Sequence, residues 1–201
     1  MIQTALTSLL LLAIGYLLGA IPSGFLAGRW LKGIALRNCG SGSTGATNVL
    51  RNVGKGPALV VFLIDVGKGA LAVMLAKSVG LSDWLQVLAG LAAVAGHSWP
   101  VWLGWKGGKA VATGLGMFLG LAWPVGLACF GLFMAVISIF RIVSLSSVVA
   151  AIGLPLLMLA SGGSSAYVVV SLVASLMVLW RHRSNIERLL VGTEPKIGQK
   201  S

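Results

Sequence analysis

The chain has 201 residues, 57% of them hydrophobic and only 9% charged, with a mean hydropathy of +0.97 and a net charge of +11. A soluble domain draws on roughly 25% charged residues to build its wetted surface, so this supply excludes an ordinary water-facing globule. The apolar residues fall in long blocks without period-2 alternation, and lipid leaves such blocks only their own helix to satisfy the backbone. The chain is therefore read as an all-α integral membrane protein.

In chain order the expected spans are 2–27, 57–76, 84–103, 110–123, 125–140, 145–161 and 165–180. No positive charge precedes Arg29, whereas a cleaved secretory leader is basic ahead of its apolar core, so the first block is read as a retained helix. Residues 110–140 are apolar throughout, and one helix of that length would run about 46 Å against a hydrocarbon core of about 30 Å. Two spans broken at Trp123-Pro124 return Lys106 and Lys109 to the same side as Arg141. Seven spans place thirteen of the fifteen Lys and Arg in segments 28–56, 104–109, 141–144 and 181–201. That asymmetry gives an outside N-terminus and a cytoplasmic C-terminus. Anionic headgroups account for the net charge, so no nucleic-acid partner is called for. No linker, second domain or repeat interrupts residues 1–201, which are read as one multi-spanning domain. Gly15 with Gly19, and Ala112 with Gly116 and Gly120, are spaced for close helix packing. Cys39 and Cys129 stand apart from each other and from any His or acid cluster, and are read as small apolar filler.

Three polar clusters fall on the side read as cytoplasmic. The first runs from Gly40 through Ser41, Gly42, Thr47 and Asn48 to Arg51. It fits Gly-x-Gly-x-x-Gly, but a dinucleotide fingerprint needs a strand–turn–helix unit, and here membrane spans flank the segment. What survives is an anion site, with small residues baring backbone N–H groups and hydroxyls and Arg51 adding donors. The second cluster is Gly96-His97-Ser98-Trp99-Pro100 followed by Gly104-Trp105-Lys106-Gly107-Gly108-Lys109-Ala110. Lys-Gly-Gly-Lys opening an apolar helix brings bare amides, a positive dipole end and two ammonium groups together. It is not a Walker loop, since Leu103 replaces the first glycine and Ala110 the metal-binding hydroxyl. The third cluster runs over 181–196, where His182 and Asn185 would share one face of a continuing helix. His182 and Glu187 have the His-x-x-x-x-acid spacing of another acyltransferase class, but five helical positions rotate by about 140° and point Glu187 away. Asp65 and Lys68 form an i,i+3 pair within the second span and are read as structural or supporting. Four carboxylates in the whole chain offer no acidic cluster for a metal, and none is invoked.

Together the clusters GSGSTGATNVLR (40–51), GHSWPVWLGWKGGKAVAT (96–113) and RHRSNIERLLVGTEPK (181–196) resemble the bacterial acyl-phosphate:glycerol-3-phosphate acyltransferases, the PlsY family. The likeness covers nearly the whole chain, with Ser43 where the family usually has Asn and Ala110 where it often has Gly. It implies seven transmembrane helices in the bacterial inner membrane, with the active site at the cytoplasmic face. It also implies acyl transfer from acyl phosphate to the 1-hydroxyl of sn-glycerol 3-phosphate, giving lysophosphatidate and phosphate, with no cofactor and no obligate protein partner. Carried over by position, Ser41, Arg51, Lys109, His182 and Asn185 would hold phosphate groups. Gly42, Thr47 and Asn48 would complete the first binding segment, Gly107 and Gly108 would shape the second, and Glu194 would support the third. Ser41, Lys109 and His182 are the expected catalytic residues. A transporter of phosphorylated solutes is the rival reading, but transporters gather polar groups near the midplane, between repeats.

Overall fold

The computed structural model describes residues 2–199, and among them every regular element is helical. In chain order these are α1 (Ile2–Ala20), α2 (Ser23–Lys32), α3 (Ala46–Asn52), α4 (Lys55–Ser78), α5 (Asp83–Ser98), α6 (Val111–Leu121), α7 (Trp123–Phe140), α8 (Val143–Ala160), α9 (Ser165–Arg181) and α10 (Arg183–Leu190). Short 3-10 turns occupy Leu36–Asn38 and Val101–Leu103.

Proline decides several boundaries. The expected first span of 2–27 is not one helix but breaks at Ile21-Pro22, because Pro22 has no N–H to give and its ring disfavours a helical residue before it. The expected span 84–103 stops at Ser98, two residues before Pro100. The apolar block 110–140 does divide, at Ala122, with Pro124 in the first turn of α7, where its missing N–H costs nothing.

Two compact units make up the chain, one ending at Leu121 and the other beginning at Ala122. In the first, α1 lies along α5 and α4 along α6. Glycine makes those approaches close enough for backbone contact. A Cβ added at Gly19 would collide with the Ala93 carbonyl, at Gly69 with that of Thr113, and at Gly116 with that of Val66. In the second unit α8 packs against both α7 and α9. There Leu127, Met134, Ile139, Leu156, Leu159 and Leu176 face outward. Such a surface suits acyl chains and not water.

Among the described residues four helical stretches are long and apolar enough to cross a bilayer: Ile2–Lys32, Lys55–Ser78, Trp123–Phe140 and Val143–Ala160. A fifth is added if α9 and α10, bent by 61° from one another, count as one span.

Candidate functional site

The first polar cluster is a turn closed by one side chain. Asn48, on α3, is 1% exposed. Its Nδ2 donates to the carbonyls of Leu36 (3.1 Å), Cys39 (3.0 Å) and Ser43 (2.8 Å). Its Oδ1 accepts from the Ser41 amide at 3.2 Å and from Asn52 Nδ2 at 2.9 Å. A carboxamide is suited to this because it carries an acceptor and two N–H donors, shared here among three carbonyls, on one short stem. Gly40 has φ 55°, and a Cβ there would run into the Asn48 amide, so the position takes glycine for two reasons.

Three of the amides expected to be bare in this segment are instead engaged within it. Those of Ser41, Gly42 and Gly45 donate to Asn48 Oδ1, the Cys39 carbonyl and Ser43 Oγ respectively. Asn48, expected among the binding residues, is the organiser of the turn, with its side-chain amide engaged inside the protein. Backbone donors in a folded segment tend to find partners, and for these three the segment supplies its own. Gly40, Ser41, Gly42 and Arg51 are the exposed members of the cluster, with Thr47 half-buried between them.

In the second cluster the amides of Gly107 and Gly108 donate to the carbonyls of Ser98 and His97, both at 3.1 Å. They are therefore not bare either. The two glycines shape the segment, because a Cβ on Gly107 would strike the His97 carbonyl and one on Gly108 the His97 ring. Lys106 is exposed and Lys109 half-buried just ahead of α6. Arg37 Nη1 donates to the Leu103 carbonyl at 2.9 Å, tying the chain before the first cluster to the turn before the second.

In the third cluster α9 does not continue as the straight helix expected but bends at His182. His182 and Asn185 are nonetheless both buried. His182 Nδ1 lies 2.8 Å from the Val178 carbonyl, and a carbonyl can only accept, so Nδ1 carries the proton. Asn185 Nδ2 donates to Glu194 Oε1 at 2.6 Å, Ser144 Oγ to the same oxygen at 2.7 Å, and Arg188 Nε to Oε2 at 2.7 Å. Burial pushes the Glu194 carboxyl up, but the hydrogen bonds from Asn185, Ser144 and Arg188, with the Arg188 charge, outweigh it and hold it below the ordinary glutamate value. Glu187 is exposed. Sequence reasoning missed Ser144, although a serine in the turn 141–144 was the available signal.

The sequence pattern of the glycerol-3-phosphate acyltransferase family matches residues 9–192. A glycerol-3-phosphate acyltransferase of Synechococcus sp. (strain CC9605) is 92% identical over all of this chain and 99% of its own length. One of Parasynechococcus marenigrum (strain WH8102) is 89% identical over all of this chain and 95% of its own. Among solved structures, PlsY, an integral membrane glycerol 3-phosphate acyltransferase, matches in its glycerol 3-phosphate form with a TM-score of 0.90 and 40% identity, over 95% of this chain and 96% of that one. Its lysophosphatidic acid form matches with a TM-score of 0.87 and 38% identity, over 95% of each chain. The chain belongs to the glycerol-3-phosphate acyltransferase family.

Proposed function

We propose that this protein transfers a fatty acyl group from acyl phosphate to the 1-hydroxyl of sn-glycerol 3-phosphate, forming lysophosphatidate and inorganic phosphate. The observation that carries this is the near-full-length likeness to structures described as acceptor and product forms of one acyltransferase. The side chains present suit it. Both substrates carry phosphate, and Ser41 in the turn before α3, Arg51 on α3 and Lys109 just ahead of α6 offer a hydroxyl and two cations. Acyl phosphate is a mixed anhydride with a good leaving group. The acceptor oxygen attacks its carbonyl carbon, the carbon–oxygen bond to phosphate breaks, and the departing phosphate takes the hydroxyl proton. The protein's share is to hold the two anions and to stabilise developing charge.

His182 fits such a scheme through one nitrogen. Because Nδ1–H is committed to Val178, the ring acts through Nε2, as a donor to phosphate when cationic and as an acceptor when neutral. Phosphate donation is the role proposed, with base catalysis as its alternative. The assay is product formation by the purified protein, with no other protein present, from acyl phosphate, acyl-coenzyme A or acyl-carrier protein. Acyl phosphate should be the productive donor, and equal turnover with a thioester would overturn the donor assignment. His182→Gln, which keeps a donor but cannot serve as a base, should retain more activity than His182→Ala. Equal collapse of both would make the histidine the base.

Seven spans, α1 and α4 to α9, are proposed to cross the bacterial inner membrane with the N-terminus outside and the polar clusters in the cytoplasm. Single cysteines at Ser43 and Ser184, in a background lacking Cys39 and Cys129, should be shielded from an impermeant thiol reagent in intact cells. One at Ser164 should react. Labelling of Ser43 and Ser164 from the same side would sink this topology.

A further inference from the structure

Ser23, Asp65, Lys68 and His97 lie buried beside one another within the first unit. Lys68 Nζ donates to Asp65 Oδ1 at 2.5 Å, to the Ile21 carbonyl at 2.7 Å and to Ser23 Oγ at 3.0 Å, which uses all three of its protons. The Ser23 hydroxyl donates to Asp65 Oδ1 at 2.6 Å. His97 Nδ1 stands 3.7 Å from that same oxygen, in contact with it but too far for a hydrogen bond.

Neutralising one another would need only the i,i+3 contact between Asp65 and Lys68. These two do more, and each reaches a different part of the chain. Lys68 and Ser23 fix the break between α1 and α2, where Pro22 interrupts the helix and the Ile21 carbonyl takes the ammonium. The next residue, Gly24, touches the Thr44 carbonyl of the first cluster so closely that a Cβ would collide with it. On the other side His97 and Ser98 receive the Gly108 and Gly107 amides through their carbonyls, and the His97 ring fills the space where a Gly108 side chain would stand. One buried carboxylate therefore lies between the supports of both anion segments of the first unit. A charged pair inside a membrane protein is costly to keep, and a pair needed only for packing can be replaced by apolar groups of like volume with little loss.

We infer that Asp65, with Lys68 and Ser23, is a positioning centre for substrate phosphate binding, acting on the Gly107–Lys109 segment through His97 and on the Ser41–Thr47 segment through Ser23 and Gly24. The inference rests on the acyltransferase reading above. Ser23, Asp65, Lys68 and His97 touch no substrate in it. They set where the groups that do so stand.

The test uses full-length protein in detergent: wild type, Lys109→Ala, Asp65→Asn/Lys68→Met, His97→Asn, His97→Gln and Ser23→Ala. Three quantities are read: kcat, KM for each substrate, and the melting midpoint with and without glycerol 3-phosphate. The double variant removes both charges together, and its melting midpoint should fall by no more than the loss of one donor to the Ile21 carbonyl allows. Its KM for at least one substrate should rise about tenfold or more, since an ångström of misplacement costs up to about a hundredfold. His97→Asn returns an amide N–H near the place of Nδ1 and should stay close to wild type, whereas His97→Gln should follow the double variant. If the double variant does not fold, Ser23→Ala decides, and it should raise the same KM at an unchanged midpoint. Unchanged KM values overturn the inference. So does activity that falls only in step with the midpoint, with Asn and Gln at position 97 indistinguishable, because that is packing alone. Wild type that is stabilised by glycerol 3-phosphate yet forms no product defeats the acyltransferase reading, and positioning is then judged by loss of that stabilisation in the variants. Active wild type, impaired Lys109→Ala and untouched double variant defeat the positioning inference alone.

Discussion

In the turn before α3 the organising side chain is a neutral amide, Asn48, whereas beyond α10 it is a carboxylate, Glu194. Each matches the polarity of what it holds. The first turn presents three carbonyls, which need donors, together with the Ser41 amide, which needs an acceptor. The third cluster presents a carboxamide N–H, a hydroxyl and a guanidinium, all donors, and one carboxylate accepts from every one. Neither organiser has to touch substrate for its loss to abolish binding. The difference lies in what disturbs them. Asn48 does not titrate, so the first turn is indifferent to pH, while Glu194 can be switched off by a proton.

Asn48→Leu should have the largest effect. It leaves the carbonyls of Leu36, Cys39 and Ser43 without their donor, and each buried orphan costs about 1–3 kcal/mol. Loss of activity beyond about a hundredfold, with a lowered melting midpoint, is the expected outcome. Asn48→Asp is the sharper version, because it offers acceptors and a buried charge where donors are required. Tolerance of Asp at this position would mean that the amide does not hold the turn, and the contrast with Glu194 would collapse.

Glu194→Gln keeps the shape but loses charge-assisted hydrogen bonds of about 1.5–3 kcal/mol each, so activity should fall by about one to two decades. Its pH dependence follows from the sign of the shift. Folding holds this carboxyl below its ordinary value, so in acid the unfolded chain binds the proton more readily. The stabilisation is complete above the ordinary glutamate value of about 4.3 and drains as pH falls through it toward the folded value. Melting midpoints of wild type and Glu194→Gln should thus differ most near neutrality and converge in acid. A gap that stays constant with pH would remove Glu194 from its assigned place.

Apolar blocks showed where helices run, because lipid demands long self-satisfied stretches, and the charge on either side of 110–140 correctly called for a break near Pro124. Pro22 was equally visible, yet the unbroken hydropathy around it hid a break whose exposed carbonyl is taken by Lys68, far along the chain. The polar clusters were legible as clusters. Their division of labour was not, since glycine-rich spacing reads the same whether the amides face a ligand or, as at Ser41, Gly42, Gly107 and Gly108, are consumed by the protein. The pair of Asp65 with Lys68 was legible from its spacing, but long-range carboxylate partners were the least legible of all. Asp65 reaches His97, and Glu194 reaches Ser144, only through the packing of helices distant in sequence.

The smallest effect concerns backbone strain and separates the first cluster from the second. In the first, the left-handed positions fall on Gly40 and Gly42, with φ 55° and 66°. In the second, Ala110 holds φ 57° just ahead of α6, and its carbonyl accepts the Gly114 amide at 2.7 Å. A left-handed alanine costs about 1–2 kcal/mol, which glycine would avoid. Glycine also frees the unfolded chain, which returns about 0.4–1 kcal/mol of that gain. Ala110→Gly should therefore raise the melting midpoint slightly and leave kcat and KM as they are. Ala110→Val is the opposing control, because a β-branched residue at positive φ is a severe outlier, and it should lower both midpoint and activity. Should Ala110→Gly lower the midpoint instead, the contacts of the buried methyl outweigh the strain, and the second segment is held by packing as well as by the His97 and Ser98 carbonyls.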